Sequence, residues 1–363
     1  MKIALLNDTH FGVRNDSTAF ADYQLKFYKN IFFPYLKEHN IKTLIHLGDV
    51  VDRRKFINFQ TAETFRKEFF EILWKEKIDT HIILGNHDTY YKNTNSINAI
   101  KVLYTTFDGV HEPFIYEHAQ EVEIGGLKML FLPWICDDNE KHTMELIKST
   151  DAQVVMGHLE IKGFEMHNGQ QNFHGFDKEF FNKFDMVMSG HFHKRSNNNH
   201  IYYLGAQYEM TWSDFKDPKG FNVFDTETRE LTHIKNPYTI HKKIFYDDTK
   251  EDYTNKDITE YDHHLVKLIV VNKSDKKMFE TYVEKFYQNS KVHELNIIED
   301  FKEFDTSSVS DNVVDISEDT VTLLNGYIDQ IDTPLDKQKL KNFMKSLYNE
   351  AGETGGDTVW NMN

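Results

Sequence analysis

Asp, His and Asn residues able to do metal chemistry concentrate in five short segments. These are Asp8-Thr9-His10, Gly48-Asp49-Val50-Val51-Asp52, Gly85-Asn86-His87-Asp88, Gly157-His158-Leu159-Glu160 and Gly190-His191-Phe192-His193. A pair of divalent cations needs several oxygen and imidazole donors and one group that both ions share. A carboxylate, with two oxygens, can be that group. In extended chain Asp-x-His and His-x-His place both side chains on one face, because the period is two. Glycine ahead of a ligand lets the backbone turn sharply and lets substrate come close. Each segment alone has a bland explanation: Gly-Asp is ordinarily a turn, and Gly-His-Phe-His could be a surface loop. All five follow apolar runs in order, and together they point to one two-metal site.

Those apolar runs predict strands at Lys2–Asn7, Thr43–Leu47, Thr80–Leu84, Val154–Met156 and Asp185–Ser189. Between the first three lie helical patterns, Phe20, Leu25, Phe27, Ile31 and Leu36, then Phe65, Phe69, Phe70, Leu73 and Trp74. Buried strands alternating with helices mean an α/β layer architecture. Sites in such sheets form at the carboxyl ends of strands, so the five loops can meet there. A hairpin is expected over Glu121–Leu132, turning at Gly125-Gly126.

Residues 1–240 are expected to form this α/β domain with the two-metal site, and 241–300 a small α+β module with strand Leu265–Val271, helix Lys276–Gln288 and strand Val292–Ile298. An acidic stretch, 301–320, reads as a linker. A helical tail over 321–352 puts Leu335, Leu340, Phe343, Met344 and Leu347 on one face, a surface suited to docking in a partner's groove.

The chain has 363 residues and a formal net charge of -16. An acidic surface repels phosphates, so any contact with a nucleic acid must be local. Arg53-Arg54-Lys55 and Lys194-Arg195, beside the proposed ligands, are the candidates. The single cysteine, Cys136, fits a reducing compartment. With no apolar run near membrane-span length, a soluble cytoplasmic protein is expected. His46 reads as packed and His263-His264 as structural. His167 and His174 lie in a polar loop that could reach substrate.

The ordered motifs resemble those of the calcineurin-like metallophosphoesterases over about residues 1–235. A narrower resemblance, to SbcD-type nucleases including those of T-even phages, is carried by the strand-Asp-x-His opening, the added module and the tail. Tyr90-Tyr91-Lys92-Asn93, Leu132-Pro133-Trp134 and Phe224-Asp225-Thr226-Glu227-Thr228 support it. The resemblance implies a β-sandwich flanked by helices with a capping domain. It implies a homodimeric DNA exonuclease/endonuclease whose tail binds an SbcC/Rad-type coiled-coil ATPase, acting in recombination, repair or replication. It further implies that Asp8, His10 and His193 hold one ion, that Asn86, His158 and His191 hold the other, and that Asp49 bridges them. His87 would stand beside the metals without binding them, paired to a carboxylate. Members commonly use Mn²⁺, with Mg²⁺ the alternative; the ligand types alone suit Mn²⁺, Fe²⁺ or Zn²⁺. Some relatives carry a substrate-contacting His at the place of Asp52, whereas the bacterial-type members resemble this chain there.

The chemistry expected is in-line attack on a phosphodiester by water acidified at the ions. His87, as imidazolium, would steady the oxyanion or protonate the leaving alkoxide. Competing readings are a phosphoprotein or cyclic-nucleotide phosphoesterase on the same core, and an inactive scaffold. Neither phosphoesterase needs the module and tail, and an inactive relative would be expected to lack ligands.

Overall fold

The structure is a computed structural model that describes residues 1–104, 112–167 and 170–299, with Ile328, Lys337, Leu340 and Met344; of 166, 167, 170 and 171 only the backbone is described. Met1–Ile298 is one compact unit and Glu299–Asn363 a second. The linker expected over 301–320 lies outside the described residues, as does most of the tail, where Leu340 and Met344 are helical. Among the described residues no helix is long and apolar enough to cross a membrane.

Strands β1 (Lys2–Leu6), β2 (Thr43–His46), β3 (Asp79–Ile83) and β4 (Phe114–Tyr116) run parallel in that order. β5 (Gln120–Ile124) and β6 (Leu127–Leu132) form the expected hairpin, and β7 (Val154–Gly157) lies parallel to β6. A short hairpin, β8 (Glu165–His167) and β9 (Gln170–Gln171), precedes β10 (Met186–Ser189), which is parallel to β7. Then come β11 (Ser196–Asn198), β12 (Ile201–Tyr203), β13 (Gly220–Asp225) and β14 (Leu231–Lys235). The two six-stranded sheets have the orders β14-β13-β1-β2-β3-β4 and β11-β12-β10-β7-β6-β5.

Both faces of the central strands are covered, which is why they read as continuous apolar runs. Ile3, Leu5, Ile45 and Ile83 meet Met129, Phe131, Met156 and Met188 between the sheets. Ala4, Leu6, Leu44 and Ile82 point the other way, into a core with Phe27, Phe32 and Phe69 of the helices. The outer face of the second sheet buries Leu130, Val155 and Val187. Full burial of such a side chain stabilises by about 1.5–3 kcal/mol. The helix Thr18–Phe27 runs through a π turn, Tyr28–Phe32, into Phe33–Glu38; Phe59–Phe65 likewise runs through Arg66–Phe70 into Glu71–Lys75. Aromatic packing joins them to the first loop: Phe11 stacks on Phe65 at 3.8 Å between centroids.

Beyond β14, β15 (His241–Asp247), β16 (Leu265–Asn272) and β17 (Glu294–Ile298) form a parallel three-stranded sheet. The helix Lys276–Asn289 crosses between β16 and β17 and buries Phe279, Tyr282 and Phe286. Asp275 caps it, accepting from the Met278 N–H at 3.0 Å. Parallel registers align the carboxyl ends that matter for function: Leu6 pairs with His46, and Gly157 with both Leu132 and Ser189.

Candidate metal centre

The loops leaving β1, β2, β3, β7 and β10 meet at this edge. Asp8, His10, Asp49 and His191 all take left-handed backbone conformations, with φ of 50°, 42°, 56° and 84°. Such conformations cost a non-glycine residue about 1–3 kcal/mol each and persist only where the surroundings over-determine them. Here the loops brace one another. Asp8 N–H donates to Gly48 O at 2.8 Å and His10 N–H to Asp49 O at 3.1 Å. His191 N–H donates to both Asp8 carboxylate oxygens, at 3.0 and 3.1 Å.

Two donor groups result, Asp8–His10–His193 and Asp49–His158–His191, each with its donor atoms within 4.8 Å of one another. His10 Nε2 faces His193 Nε2 at 3.1 Å. Asp49 Oδ2 lies 3.3 Å from His158 Nε2 and 3.7 Å from His10 Nε2, so this carboxylate stands between the groups. Asn86 Oδ1 lies 3.0 Å from His158 Nε2 and 3.1 Å from His191 Nδ1. Imidazole nitrogens, buried carboxylates and an amide oxygen converge without intervening apolar groups. That donor set fits a pair of divalent ions.

Neighbouring groups orient these donors. His158 Nδ1 donates to Leu47 O at 2.8 Å, which turns Nε2 toward Asp49 and Asn86. Asp52 Oδ1 lies 3.4 Å from His10 Nδ1. Asn7 Nδ2 donates to Asp8 Oδ2 at 2.6 Å. The Asp88 carboxylate accepts from the N–H groups of Gly85, Asp49, Val50 and Val51 at 2.7–3.2 Å, tying two ligand loops together. Burial opposes charge on His10, but the Asp52 hydrogen bond and the Asp49 carboxylate hold its pKa up at about 9. Burial likewise opposes charge on His158, and Asp49 outweighs it, again to about 9. Burial, with His158 adding to it, drives His191 down to about 3. Burial pushes the Asp49 carboxyl up, but His158 and His87 outweigh it and hold it well below the usual range.

The expected pairing of His87 with a carboxylate is corrected. Its Nδ1 donates to the backbone carbonyl of Asp52 at 2.5 Å, because the adjacent Asp88 carboxylate is taken by backbone N–H groups. The ring sits beside His10, 4.9 Å between centroids. Of the basic candidates, Arg53 is ion-paired to Asp16, and Lys194 to Glu165. Arg54 donates to Thr89 Oγ1 at 3.2 Å and to Tyr91 O at 3.3 Å, and Lys55 lies over the Tyr90 ring at 5.9 Å. Arg195 is exposed. His46 is buried with Nε2 3.1 Å from Thr9 Oγ1. The side chain of His167 lies outside the described residues; His174 is exposed.

Sequence reasoning passed over Asn7 and quoted Trp134 only within a motif. The Trp134 ring lies 5.3 Å from His191 between centroids. Three hydrogen bonds hold its backbone: its N–H donates to Leu84 O, and Asn95 and Asn139 donate to its carbonyl, at 2.8–3.0 Å. The Pro133-Trp134 step just past an apolar strand was the signal available.

Comparisons with known proteins give the family. A family model, calcineurin-like phosphoesterase, matches residues 1–195. Exonuclease subunit 1 of Enterobacteria phage T4 is 34% identical over 357 residues, 97% of this chain and 99% of that protein. The SbcD component of the SbcCD nuclease of Staphylococcus saprophyticus is 23% identical over 226 residues, 58% of each chain. A solved archaeal phosphodiesterase aligns at a TM-score of 0.33 with 18% identity, over 65% of this chain and 100% of that one. With its sandwich, its two donor groups and a match over more than half its length, the chain belongs to the calcineurin-like phosphoesterase family of metal-dependent hydrolases.

Proposed function

We propose that this chain is the nuclease subunit of an ATPase–nuclease complex, cleaving phosphodiester bonds at DNA ends in recombination, repair or replication. The observation that carries the reading is the Asp49 carboxylate, 3.3 Å from His158 Nε2 and 3.7 Å from His10 Nε2, in a position to serve both donor groups at once. Likeness over 97% of the chain to a phage exonuclease subunit supports DNA as substrate. The SbcCD relatives support a coiled-coil ATPase as partner. Residues 1–240 form the catalytic domain, 241–300 cap it, and the tail over 321–352 docks on the ATPase. The active form is a cytoplasmic homodimer.

Asp8, His10, Asp49 and His193 would hold one divalent ion, and Asp49, Asn86, His158 and His191 the other. Mn²⁺ is the proposed ion, with Mg²⁺ the alternative. When bound, the pair supplies Lewis-acid chemistry, neutralising phosphate charge and acidifying water. The rest falls to the protein. Asp52 O fixes the Nδ1 proton of His87, so Nε2 is the atom that gains or gives a proton. Protonated there, His87 delivers it to the leaving alkoxide oxygen. Arg53-Arg54-Lys55 and Lys194-Arg195 offer a local cationic path to the backbone on an otherwise acidic protein.

A cleavage assay on end-labelled single- and double-stranded DNA, with Mn²⁺ or Mg²⁺ and with or without the ATPase, tests this. Metal-dependent DNA cleavage lost in Asp49→Ala is the expected result. Release of phosphate from phosphoprotein or cyclic nucleotide, with DNA untouched, overturns it.

A further inference from the structure

One segment, residues 205–219, touches both the first donor group and the small module. Its near end is tied to the loop that carries Asp8 and His10. Asn7 Nδ2 donates to Gly205 O at 3.0 Å, Gln207 Nε2 to Asn7 O at 2.5 Å, and Tyr208 OH to Thr9 O at 2.5 Å. The same segment seats His193, whose carbonyl accepts from Ala206 N–H at 2.9 Å and from Lys219 Nζ at 2.8 Å. Lys219 is 3% exposed and is held by Asp214 and Asp217, each at 2.8 Å.

The middle of the segment is tied to the module. Glu209 Oε2, on a residue 4% exposed, accepts from Thr239 Oγ1, the N–H groups of Ile240 and His241, and His241 Nδ1, at 2.7–3.1 Å. Trp212 extends the joint: its ring lies 4.5 Å from that of His241, and Lys267 Nζ sits 4.0 Å over it. A buried carboxylate satisfied by four donors from one strand start is rigid, because losing any of them leaves a desolvated group. The second donor group is seated mostly elsewhere, through Leu47 O on His158 and Asp88 on the Asp49 loop, with His191 N–H alone resting on the Asp8 carboxylate.

We propose that residues 205–219 couple the 241–298 module selectively to the Asp8–His10–His193 half of the metal centre, with Glu209 and Lys219 as positioning residues. The coupling is asymmetric: displacement of the module changes the Asp8–His10–His193 site more than the Asp49–His158–His191 site. It is also reciprocal, since an ion that steadies the first site must steady the Glu209–His241 joint.

The inference rests on the two-ion reading, and the test separates the two. Calorimetric Mn²⁺ titration of the wild-type full chain counts the ions; a single ion sinks the two-ion reading. Glu209→Ala and Lys219→Met are expected to weaken one site by about 10- to 100-fold, the loss usual when an outer partner of a ligand is removed. The more weakened site should be the one missing in His193→Ala, and the other should lose less. Glu209→Gln and Lys219→Arg should recover part of the loss. Both sites weakening alike, or neither changing, overturns the coupling. Hydrogen exchange on the wild type needs no variant: Mn²⁺ should slow exchange of the Ile240 and His241 amides. Equal exchange with and without Mn²⁺ overturns it too.

Discussion

A Cβ built on Gly85 would lie 2.2 Å from Asp49 Oδ1 and 2.3 Å from its backbone nitrogen. The loop after β3 thus closes on the loop after β2 with no room for a methyl group. Gly85→Ala must push the two loops apart. We expect a loss of stability of about 1–3 kcal/mol, the usual cost of overpacking. Both ions should be lost, because Asp49 is proposed to serve both donor groups. Thermal denaturation and Mn²⁺ stoichiometry check this; full occupancy of both sites would show that Asp49 does not depend on Gly85.

His87→Ala should separate binding from chemistry. The side chain is fixed by Asp52 O, outside both donor groups. Mn²⁺ stoichiometry should be unchanged, while turnover on DNA falls by about 10²- to 10⁴-fold, the range for losing a general acid. Loss of an ion, or retained turnover, contradicts the assignment.

Protons and metal compete for His10 and His158. Both rings are held up at about 9, so both are protonated in the metal-free protein at neutral pH. An ion needs them neutral. Mn²⁺ binding near pH 7.5 should therefore release about two protons, and affinity should climb with pH until about 9 and then level. The sign for stability is opposite. A raised histidine pKa stabilises the metal-free fold fully below about 6.5, and that contribution disappears as pH rises through about 9. The melting temperatures of metal-free and Mn²⁺-loaded protein should diverge across this window. Calorimetry in buffers of different ionisation enthalpy reads the protons; zero release refutes the protonation states.

Neutralising Arg53, Arg54 and Lys55 together should weaken DNA binding and flatten its dependence on salt, by a slope of about 0.9 for each phosphate that is no longer neutralised. Arg53→Ala alone should act differently. Its partner is Asp16, which also accepts from Thr61 Oγ1 at 2.7 Å. Stability should fall by up to about 1 kcal/mol, since Arg53 is partly exposed. Filter binding across a salt series and a denaturation curve distinguish the two. An unchanged slope in the triple variant removes this cluster from the DNA path.

Much of the site is written locally in the chain. An apolar run followed at once by Asp-x-His or Gly-Asp says both that a strand ends and that a ligand begins, because strand period and turn chemistry act over a few residues. That is why β1, β2, β3, β7 and β10, and the loops they carry, are legible without coordinates. The short strands β4, β11 and β12 were not, being three residues each, too brief for an alternating period to show.

What only the tertiary structure decided lies between residues far apart in sequence. His10 meets His193 across 183 positions, His158 meets Leu47 O across 111, and Gln207 meets Asn7 O across 200. The sequence alone named residues able to bind ions and placed each at the end of a strand. It did not reveal that Asp88 serves backbone N–H groups, that His87 leans on a carbonyl, or that Lys219 holds the His193 carbonyl. A hydrogen-bonding side chain can serve any neighbour that packing brings within about 3 Å, and packing is a property of the whole sandwich.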